Sequence, residues 1–422
     1  DRVTHINFLG RTRTGKSTFM HLMIRQDIDA GNGVGIIYPH GDLVQDVLQH
    51  SIPAHREEDV VLFDWEEKEK PIGLNPLSVP ENIDPSVAAS FALGFMRKFF
   101  GDAWIEGRME DTVYACLVSL MSVRGSVIPD IPRLLLDSNF RRQVLQHVND
   151  FAALDYWHLE FESASPKVQQ ELARPVNTRM RKFYRGQTLR RIVGQADCLD
   201  IAGILDDRKI FLANLRGATR LEGNSIGTLL ISQFQMAAMA RASRPSAERE
   251  PFYLYIDEVQ NFVTTSLPEM YSEAGKYGMS LTTANQYAGQ LDTDTAKSLL
   301  GNAGNNIIFR ASKDDASLFA PLIEPGFSAD DLVNLSRFKA LVKMQQQGVT
   351  LPAFLLDLYP PPPPIQSGSG VAERIAAKSR KRYGKPVAEI DAELAARYRQ
   401  DAGLAGTAPG DRADDEGKSD IS

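Results

Sequence analysis

Short apolar runs rich in β-branched and aromatic residues alternate with helical patterns along most of the chain, up to about residue 358. This alternation is typical of a doubly wound sheet with mainly parallel strands, which has helices on both of its faces. We therefore predict an α/β fold, with strands at residues 3–9, 34–38, 60–63, 210–215, 253–256, 280–284, 307–309 and 340–344.

A continuous helical pattern interrupts these strands between about residues 85 and 195. Asp84 and Pro85 have the residue types expected at the cap and first turn of its first helix. Apolar residues then recur every four positions and are interpreted as core rather than as a ligand site: Val87, Phe91, Phe95 and Phe99. The pattern predicts a first α/β part (1–84), an inserted all-α domain (85–200) and a second α/β part (201–358).

The composition changes after residue 358. Five prolines, Pro360 to Pro364, precede a Ser/Gly stretch, so residues 359–370 are predicted to form a linker. Residues 371–422 are predicted to be a charged, largely disordered tail. The tail contains a basic cluster that is either a solvated helix face or an arm that binds a partner or DNA: Lys378, Arg380, Lys381, Arg382 and Lys385.

The overall composition, 422 residues with 43% hydrophobic and 24% charged, is that of a globular chain with more than one domain. Two cysteines without paired spacing predict neither disulfides nor structural zinc, which favours the reducing cytoplasm. The sequence contains no run of 18 apolar residues, but it opens directly on a strand, so we expect an upstream segment that could carry a membrane anchor. A net charge of −7 disfavours an overall basic surface but permits a local basic channel.

The strongest motif is Gly10-Arg11-Thr12-Arg13-Thr14-Gly15-Lys16-Ser17, which matches GxxxxGK[ST] and lies between an apolar strand and a helix. Backbone N–H groups of such a loop surround phosphate oxygens at a helix N-terminus. The lysine of the motif reaches the β- and γ-phosphates, and its serine hydroxyl ligates Mg²⁺. We predict that ATP contacts Gly10, Thr12, Thr14, Gly15, Lys16, Ser17 and Thr18.

A second polar element follows the apolar strand at 252–256, which ends in Asp257 and Glu258. Ligands of doubly wound folds bind at the carboxyl edge of the sheet, where these two acids should lie. We predict that Asp257 joins Ser17 in the Mg²⁺ shell and that Glu258 polarises the attacking water. Together with the phosphate loop, the acidic pair predicts ATP hydrolysis.

Two further polar residues follow later strands. Gln286 could contact the γ-phosphate and the water, or it could be a structural hydrogen-bonding group. Arg310 could be an arginine finger supplied by a neighbouring subunit, or an arginine in a surface ion pair.

A basic segment between residues 174 and 191 contains no acid and includes Phe183 and Tyr184. It could track DNA phosphates while an aromatic ring stacks on a base, or it could be a solvated basic helix face. Its seven bases are Arg174, Arg179, Arg181, Lys182, Arg185, Arg190 and Arg191.

These motifs resemble those of the HerA/FtsK superfamily of DNA-pumping ATPases, and among them most closely the conjugative coupling proteins of type IV secretion, the TraD/TraG type. The resemblance runs from about residue 3 to 358 and also rests on Tyr38-Pro39-His40-Gly41-Asp42, Leu74-Asn75-Pro76-Leu77, Lys276-Tyr277-Gly278 and Ala284-Asn285-Gln286. Two positions depart from it. Tyr38 stands where the family has aspartate. Gly275 stands where the family has arginine. If that arginine acts on the neighbouring subunit, Lys276 or Arg310 would have to take its place here.

The resemblance implies a RecA-like P-loop NTPase fold and a ring-shaped homo-oligomer, expected to be a hexamer. It implies an ATP-driven motor that pumps relaxase-bound single-stranded DNA, with type IV secretion components as further partners. It places the full-length protein at the inner face of the bacterial plasma membrane. The alternatives left open are a HerA-like translocase of double-stranded DNA, a protein-secretion ATPase, and a scaffold that binds ATP without hydrolysing it.

Overall fold

The structure, a computed structural model, describes residues 4–101, 107–262, 267–287, 301, 303–366, 368 and 370–401. Within these residues the central sheet has nine strands in the order β11-β8-β7-β1-β6-β5-β2-β4-β3. The strands from β7 to β3 in this order run parallel, whereas β8 and β11 are antiparallel to their neighbours. The strands are β1 (Ile6–Leu9), β2 (Gly33–Tyr38), β3 (Val60–Asp64), β4 (Ile210–Asn214), β5 (Phe252–Ile256), β6 (Met279–Asn285), β7 (Asn305–Ile308), β8 (Lys339–Lys343) and β11 (Phe354–Asp357), while β9 (Gln345–Gln346) and β10 (Val349–Thr350) form a separate hairpin.

The predicted α/β fold is therefore confirmed, and each of the eight predicted strands overlaps one of β1 to β8, although Val3 lies outside the described residues. The hairpin and the edge strand β11 were not predicted. The residues of β11 are mostly exposed, so this strand lacks the buried apolar run by which the other strands were recognised.

Helices cover both faces of the sheet. The first twelve are α1 (Lys16–Asp29), α2 (Asp42–His50), α3 (Pro85–Phe100), α4 (Arg108–Met121), α5 (Asp130–Leu136), α6 (Ser138–Leu145), α7 (Phe151–Asp155), α8 (Pro166–Phe183), α9 (Gln187–Val193), α10 (Ile201–Asp206), α11 (Arg220–Ala240) and α12 (Leu267–Glu273). Four more are described in the later part of the chain, at Lys313–Ile323, Ala329–Asn334, Val371–Tyr383 and Val387–Asp401. The cap predicted for α3 is confirmed, because the Asp84 side chain accepts a hydrogen bond from the Ser86 N–H at 2.8 Å.

The helices between residues 85 and 206 share one hydrophobic core with a face of the sheet. Phe95 of α3 and Trp157 belong to the same buried cluster as Phe211 of β4 and Phe252 of β5. On the opposite face, α1 and α2 pack in a second cluster. The helical segment is therefore joined to the sheet by continuous apolar packing.

The tail differs from its prediction. Residues 371–401 form two helices, whereas a largely disordered tail was predicted, and residues 402–422 lie outside the described part of the chain. In the first helix Val371 and Ile375 are buried in the same cluster as α1 and α2, and in the second Ile390 and Leu394 are buried. The prediction of disorder was wrong for these two segments, although a helix had been one alternative for the basic cluster, because their few apolar residues share a helix face and are buried together.

The basic cluster of the tail pairs with acids of the same chain. Lys378 lies 3.0 Å from Glu57 and Arg380 lies 3.2 Å from Glu67. Lys385 pairs with Glu393 at 2.5 Å. Most of these bases thus bind acidic groups of this chain, which was not among the predicted roles. Among the described helices, none is long and apolar enough to span a bilayer.

Candidate functional site

The glycine loop between β1 and α1 has the backbone that its sequence requires. Gly10 has a φ of 137°, and a Cβ atom there would lie 2.7 Å from Cβ of Phe309, so only glycine fits. Gly15 has a φ of 120° and immediately precedes α1. The Thr14 hydroxyl closes the loop by donating to the Arg11 carbonyl at 2.7 Å. Among the described residues no side chain caps α1, which leaves its first N–H groups for an anion.

Lys16 is buried between the loop and the acidic pair. Its Nζ donates to the Gly10 carbonyl and lies 3.5 Å from the Arg11 carbonyl. Burial lowers the pKa of Lys16, while the charges of Asp257 and Glu258 act to raise it. The loop lysine and the two acids therefore lie within electrostatic reach of each other.

The acidic pair emerges at the carboxyl edge of β5, whose five residues are all buried. The Asp257 N–H donates to the Ile37 carbonyl of β2 at 3.2 Å, which fixes the chain as it leaves the strand. Burial, together with the neighbouring charge of Glu258, raises the pKa of Asp257 to about 6, against the opposing effects of Lys16 and His40. Two adjacent buried carboxyl groups create an electrostatic demand for a cation.

Glu258 is held by two amide side chains. Its φ of 50° is in the left-handed region, which is uncommon for a residue other than glycine and is found at functional sites. Its Oε1 accepts a hydrogen bond from Gln286 and its Oε2 accepts one from Gln260. The structure thus brings Gln286 to the site. Gln260 was not predicted from the sequence, although its place two residues after Glu258 was an available signal.

Tyr38, the residue that departs from the aspartate of the resembling family, lies at the same site. Its hydroxyl hydrogen-bonds with the side chain of Ser17, the predicted metal ligand. Burial, followed by the charge of Asp257, raises the pKa of Tyr38 to about 12, so the hydroxyl is neutral at pH 7. Its ring also packs edge-on against His40.

The oxygen donors at the site fit magnesium. Ser17 is the second residue of α1 and contacts Tyr38, which is the neighbour of Asp257, so a hydroxyl and a carboxylate are available on one side of the loop. Magnesium usually binds one or two protein oxygens, with phosphates and water filling its octahedron. The described residues contain no cluster of three or more His, Cys, Asp or Glu that could hold a metal ion by itself.

Arg310 and Lys276, the two bases that could act on a neighbouring subunit, lie at opposite ends of the parallel strands. Arg310 follows β7, and its carbonyl accepts the Arg11 N–H at 3.0 Å, so it adjoins the loop of its own chain. Lys276 precedes β6 and pairs with Glu273 at 3.5 Å. The seven residues of β6, roughly 20 Å, separate Lys276 from Gln286. Lys276 therefore cannot reach the nucleotide site of its own chain, and a role for either cation at a neighbouring site stays a prediction.

The basic segment is only partly as predicted. Phe183 is buried, with its ring centroid 5.9 Å from that of Phe95 and 4.9 Å from that of Phe99, so the predicted stacking of this ring on a base is wrong. Arg191 forms an ion pair with Asp391 at 2.6 Å. The exposed bases of the segment include Arg174, Arg181 and Arg185.

A glycine loop that opens a helix, with its lysine facing two acids at the carboxyl edge of a mainly parallel sheet, defines a P-loop NTPase fold. The strand order inserts β6, which Gln286 directly follows, between the loop strand β1 and the acidic strand β5. The chain therefore has the RecA-like P-loop fold that the resemblance implied.

Comparisons with known proteins confirm the resemblance to coupling proteins. A family model described as the TraM recognition site of TraD and TraG matches residues 251–320. The fold is similar to that of the bacterial conjugative coupling protein TrwBdeltaN70 in its unbound form, with a TM-score of 0.60, 14% identity and 85% of each chain covered. It is equally similar to the plasmid coupling protein TrwB in complex with ADP and Mg²⁺, with a TM-score of 0.60, 15% identity and 88% of each chain covered.

VirB4 of Thermoanaerobacter pseudethanolicus is also similar, with a TM-score of 0.57 and 14% identity over 84% of this chain and 89% of that chain. No curated protein sequence matches the chain. At these identities the likeness establishes the fold.

Proposed function

We propose that this chain is a Mg²⁺-dependent ATPase that moves DNA as a conjugative coupling protein of a type IV secretion system. The observation that carries the ATPase proposal is the convergence of Lys16, Asp257 and Glu258 at one edge of the sheet. Buried opposite charges around a helix N-terminus form a site for a triphosphate and its cation. The similar fold of TrwB, which has a structure with ADP and Mg²⁺, supports this proposal.

In the proposed reaction Lys16 binds the β- and γ-phosphates, and the N–H groups that begin α1 bind the remaining phosphate oxygens. Ser17 and Asp257 would hold Mg²⁺, which would supply positive charge against the charge that develops on the phosphates. Glu258 accepts a hydrogen bond from the attacking water and orients it toward the γ-phosphate. Gln286 and Gln260 fix the direction of the Glu258 carboxylate.

The DNA part of the proposal rests on the resemblance to coupling proteins and on the exposed bases of the helical part. Arg174, Arg181 and Arg185 are exposed and could contact phosphates of a strand. We propose a ring-shaped homo-oligomer, with relaxase and a TraM-like protein as partners, the latter because of the family described for residues 251–320. An upstream anchor would hold the ring at the inner face of the plasma membrane.

The ATPase proposal is tested with two variants of the assembled protein. Lys16→Ala is expected to abolish ATP binding, because it removes the buried cation of the phosphate site. Glu258→Gln is expected to bind ATP like the parent but to lose turnover by about 10²-fold or more, because an amide cannot accept a proton from water. Equilibrium binding and phosphate release measure the two effects. Equal hydrolysis by Glu258→Gln and the parent would dismiss Glu258 as the base.

The polymer substrate is tested by adding DNA to the same phosphate-release assay at low salt. Stimulation by single strands supports the coupling-protein proposal, whereas stimulation by duplex alone would point to a double-strand translocase. A rate of phosphate release that no DNA changes would point to protein cargo. Phosphate release no faster than background in the assembled ring would identify a scaffold that binds ATP without hydrolysing it.

A further inference from the structure

Phe338 lies directly over the phosphate loop. It immediately precedes β8, which is antiparallel to β7, so it is at the same carboxyl edge of the sheet as the loop. A Cβ atom on Gly15 would lie 3.1 Å from Cδ1 of Phe338 and 3.1 Å from Cδ2 of Leu358. The ring of Phe338 thus borders the glycine at which α1 begins.

The backbone of Phe338 is strained and is held in that state from both sides. Its φ of 63° lies in the left-handed region, where a bulky residue is a genuine outlier. Its N–H donates to the Thr14 carbonyl and its carbonyl accepts the Leu358 N–H, each at 2.9 Å. Lys339 pairs with Asp357 at 2.9 Å, which joins the start of β8 to the end of β11. Such strain persists where the surroundings over-determine it, and it is found preferentially at ligand-binding sites.

The ring of Phe338 has further features of a surface that stacks on a ligand. It is 39% exposed, although most large apolar residues of the sheet are buried. The Arg337 guanidinium lies over the ring, 4.5 Å from its centroid. Nucleobases stack both on aromatic rings and on guanidinium planes, so a base at this place would either replace Arg337 over the ring or extend the stack.

We propose that Phe338 stacks on the purine base of the bound nucleotide. This inference rests on the proposed binding of a nucleoside triphosphate, because the loop would hold the phosphates and Phe338 the other end of the same ligand. The residues predicted from the sequence contact phosphates, metal and the attacking water, and none of them is predicted to recognise the base. Since stacking uses the π-face rather than the hydrogen-bonding edge of a base, ATP and GTP should bind with similar affinity.

The test compares Mg-ATP with Mg-tripolyphosphate, which has the phosphates but no base. In Phe338→Gly the ring is removed, while glycine adopts a φ of 63° without strain and so keeps the hydrogen bonds to Thr14 and Leu358. We expect the Kd for ATP to rise about tenfold or more and the Kd for tripolyphosphate to change less than about twofold. Phe338→Tyr, which keeps a stacking ring, should bind both ligands like the parent.

The matched control is Phe151→Gly. Phe151 is 82% exposed at the start of α7, in the helical part of the chain, and its loss should leave both affinities unchanged. If Phe338→Gly raises the Kd values for ATP and tripolyphosphate in the same proportion, or raises neither, the base site is refuted. If the parent protein binds neither ATP nor tripolyphosphate, nucleotide binding itself is refuted. If it binds both with equal affinity, the base contributes nothing and only the role of Phe338 is refuted.

Discussion

Glu258 shows how a single side chain is positioned at this site. Its carboxylate receives one amide hydrogen bond on each oxygen, from Gln286 and Gln260, and its N–H donates to Asp257 Oδ1 at 2.9 Å. Gln286 directly follows the neighbouring strand β6, whereas Gln260 lies in the turn that Glu258 itself begins. Removing either amide would allow the carboxylate to rotate away from an attacking water.

We therefore predict that Gln260→Ala lowers kcat by about tenfold and changes KM for ATP by less than about twofold, because Gln260 positions Glu258 without contacting ATP. Steady-state phosphate release measures both constants. Gln260→Asn retains an amide on a shorter side chain and should restore part of the loss. An increase in KM at unchanged kcat would show instead that Gln260 contributes to ATP binding.

Individual residues were predictable to different degrees. Lys16, Ser17 and Asp257 belong to motifs of a few consecutive residues, so the sequence alone predicts them as site residues. Tyr38 was noted only as a departure from a family pattern, because its contact with Ser17 joins the end of β2 to the first turn of α1 and is not visible in either segment alone. Gln260 lies in no motif that was recognised.

Among the elements, helix α11 determines how the turn after Glu258 is supported. Phe262 ends that turn and is buried against α11, where Thr228 donates to the Phe262 carbonyl at 3.4 Å. A Cβ atom on Gly227 would lie 2.2 Å from Cε1 of the Phe262 ring. The helix therefore has a glycine in its interior, despite the lower helix propensity of glycine, because the ring occupies that space.

We predict that Gly227→Ala lowers the free energy of unfolding by about 1–3 kcal/mol, because the added methyl group collides with Phe262. Urea unfolding measures the change. The control in the same helix is Gly223→Ala, where the added atom would lie 3.5 Å from Cβ of Ala218, an ordinary contact. That control should stabilise the protein by about 0.5–1 kcal/mol through helix propensity. Two variants of equal stability would disprove the close packing.

At the scale of the whole molecule, the two C-terminal helices join the α/β part to the helical part. The first pairs Arg374 and Lys378 with Glu57, at 2.8 and 3.0 Å. The second pairs Asp391 with Arg191, and its Arg397 with the buried Asp130 at 2.8 Å. Because these partners lie in different parts of the chain, the helices act as a tether across the molecule.

The tether should weaken in acid. Hydrogen bonding from Arg374 is the main cause that lowers the pKa of Glu57 to about 2 from an ordinary value of 4.5. Because the folded state has the lower pKa, the stabilisation is complete above about pH 4.5 and is lost as the pH falls toward 2. At pH 7 we expect Glu57→Gln to lower the free energy of unfolding by about 1–3 kcal/mol. Urea unfolding at several pH values should show parent and variant converging in acid.

Glu58→Gln is the matched control for this prediction. Glu58 is exposed and pairs with the same Lys378 at 2.9 Å, so its loss should cost less than about 0.5 kcal/mol. A pH-independent difference between the parent and Glu57→Gln would contradict the proposed charge pairing.

The amino-acid sequence by itself determined the α/β class, the eight principal strands and the places of the glycine loop and the acidic pair. These features depend on short-range patterns: apolar runs for buried strands, and motifs whose residues are consecutive. Such patterns can be recognised in the sequence without knowing which strands are neighbours in the sheet.

Only the tertiary structure decided where the charges of the tail bind, what surrounds Glu258 and which ring borders the loop. Glu57 and Arg374 are 317 positions apart, and Thr14 and Phe338 are brought together only by the order of strands in the sheet. A charge pattern shows which charged side chains are present, but it does not show whether each one lies next to an opposite charge. That depends on long-range packing, which local sequence patterns do not encode.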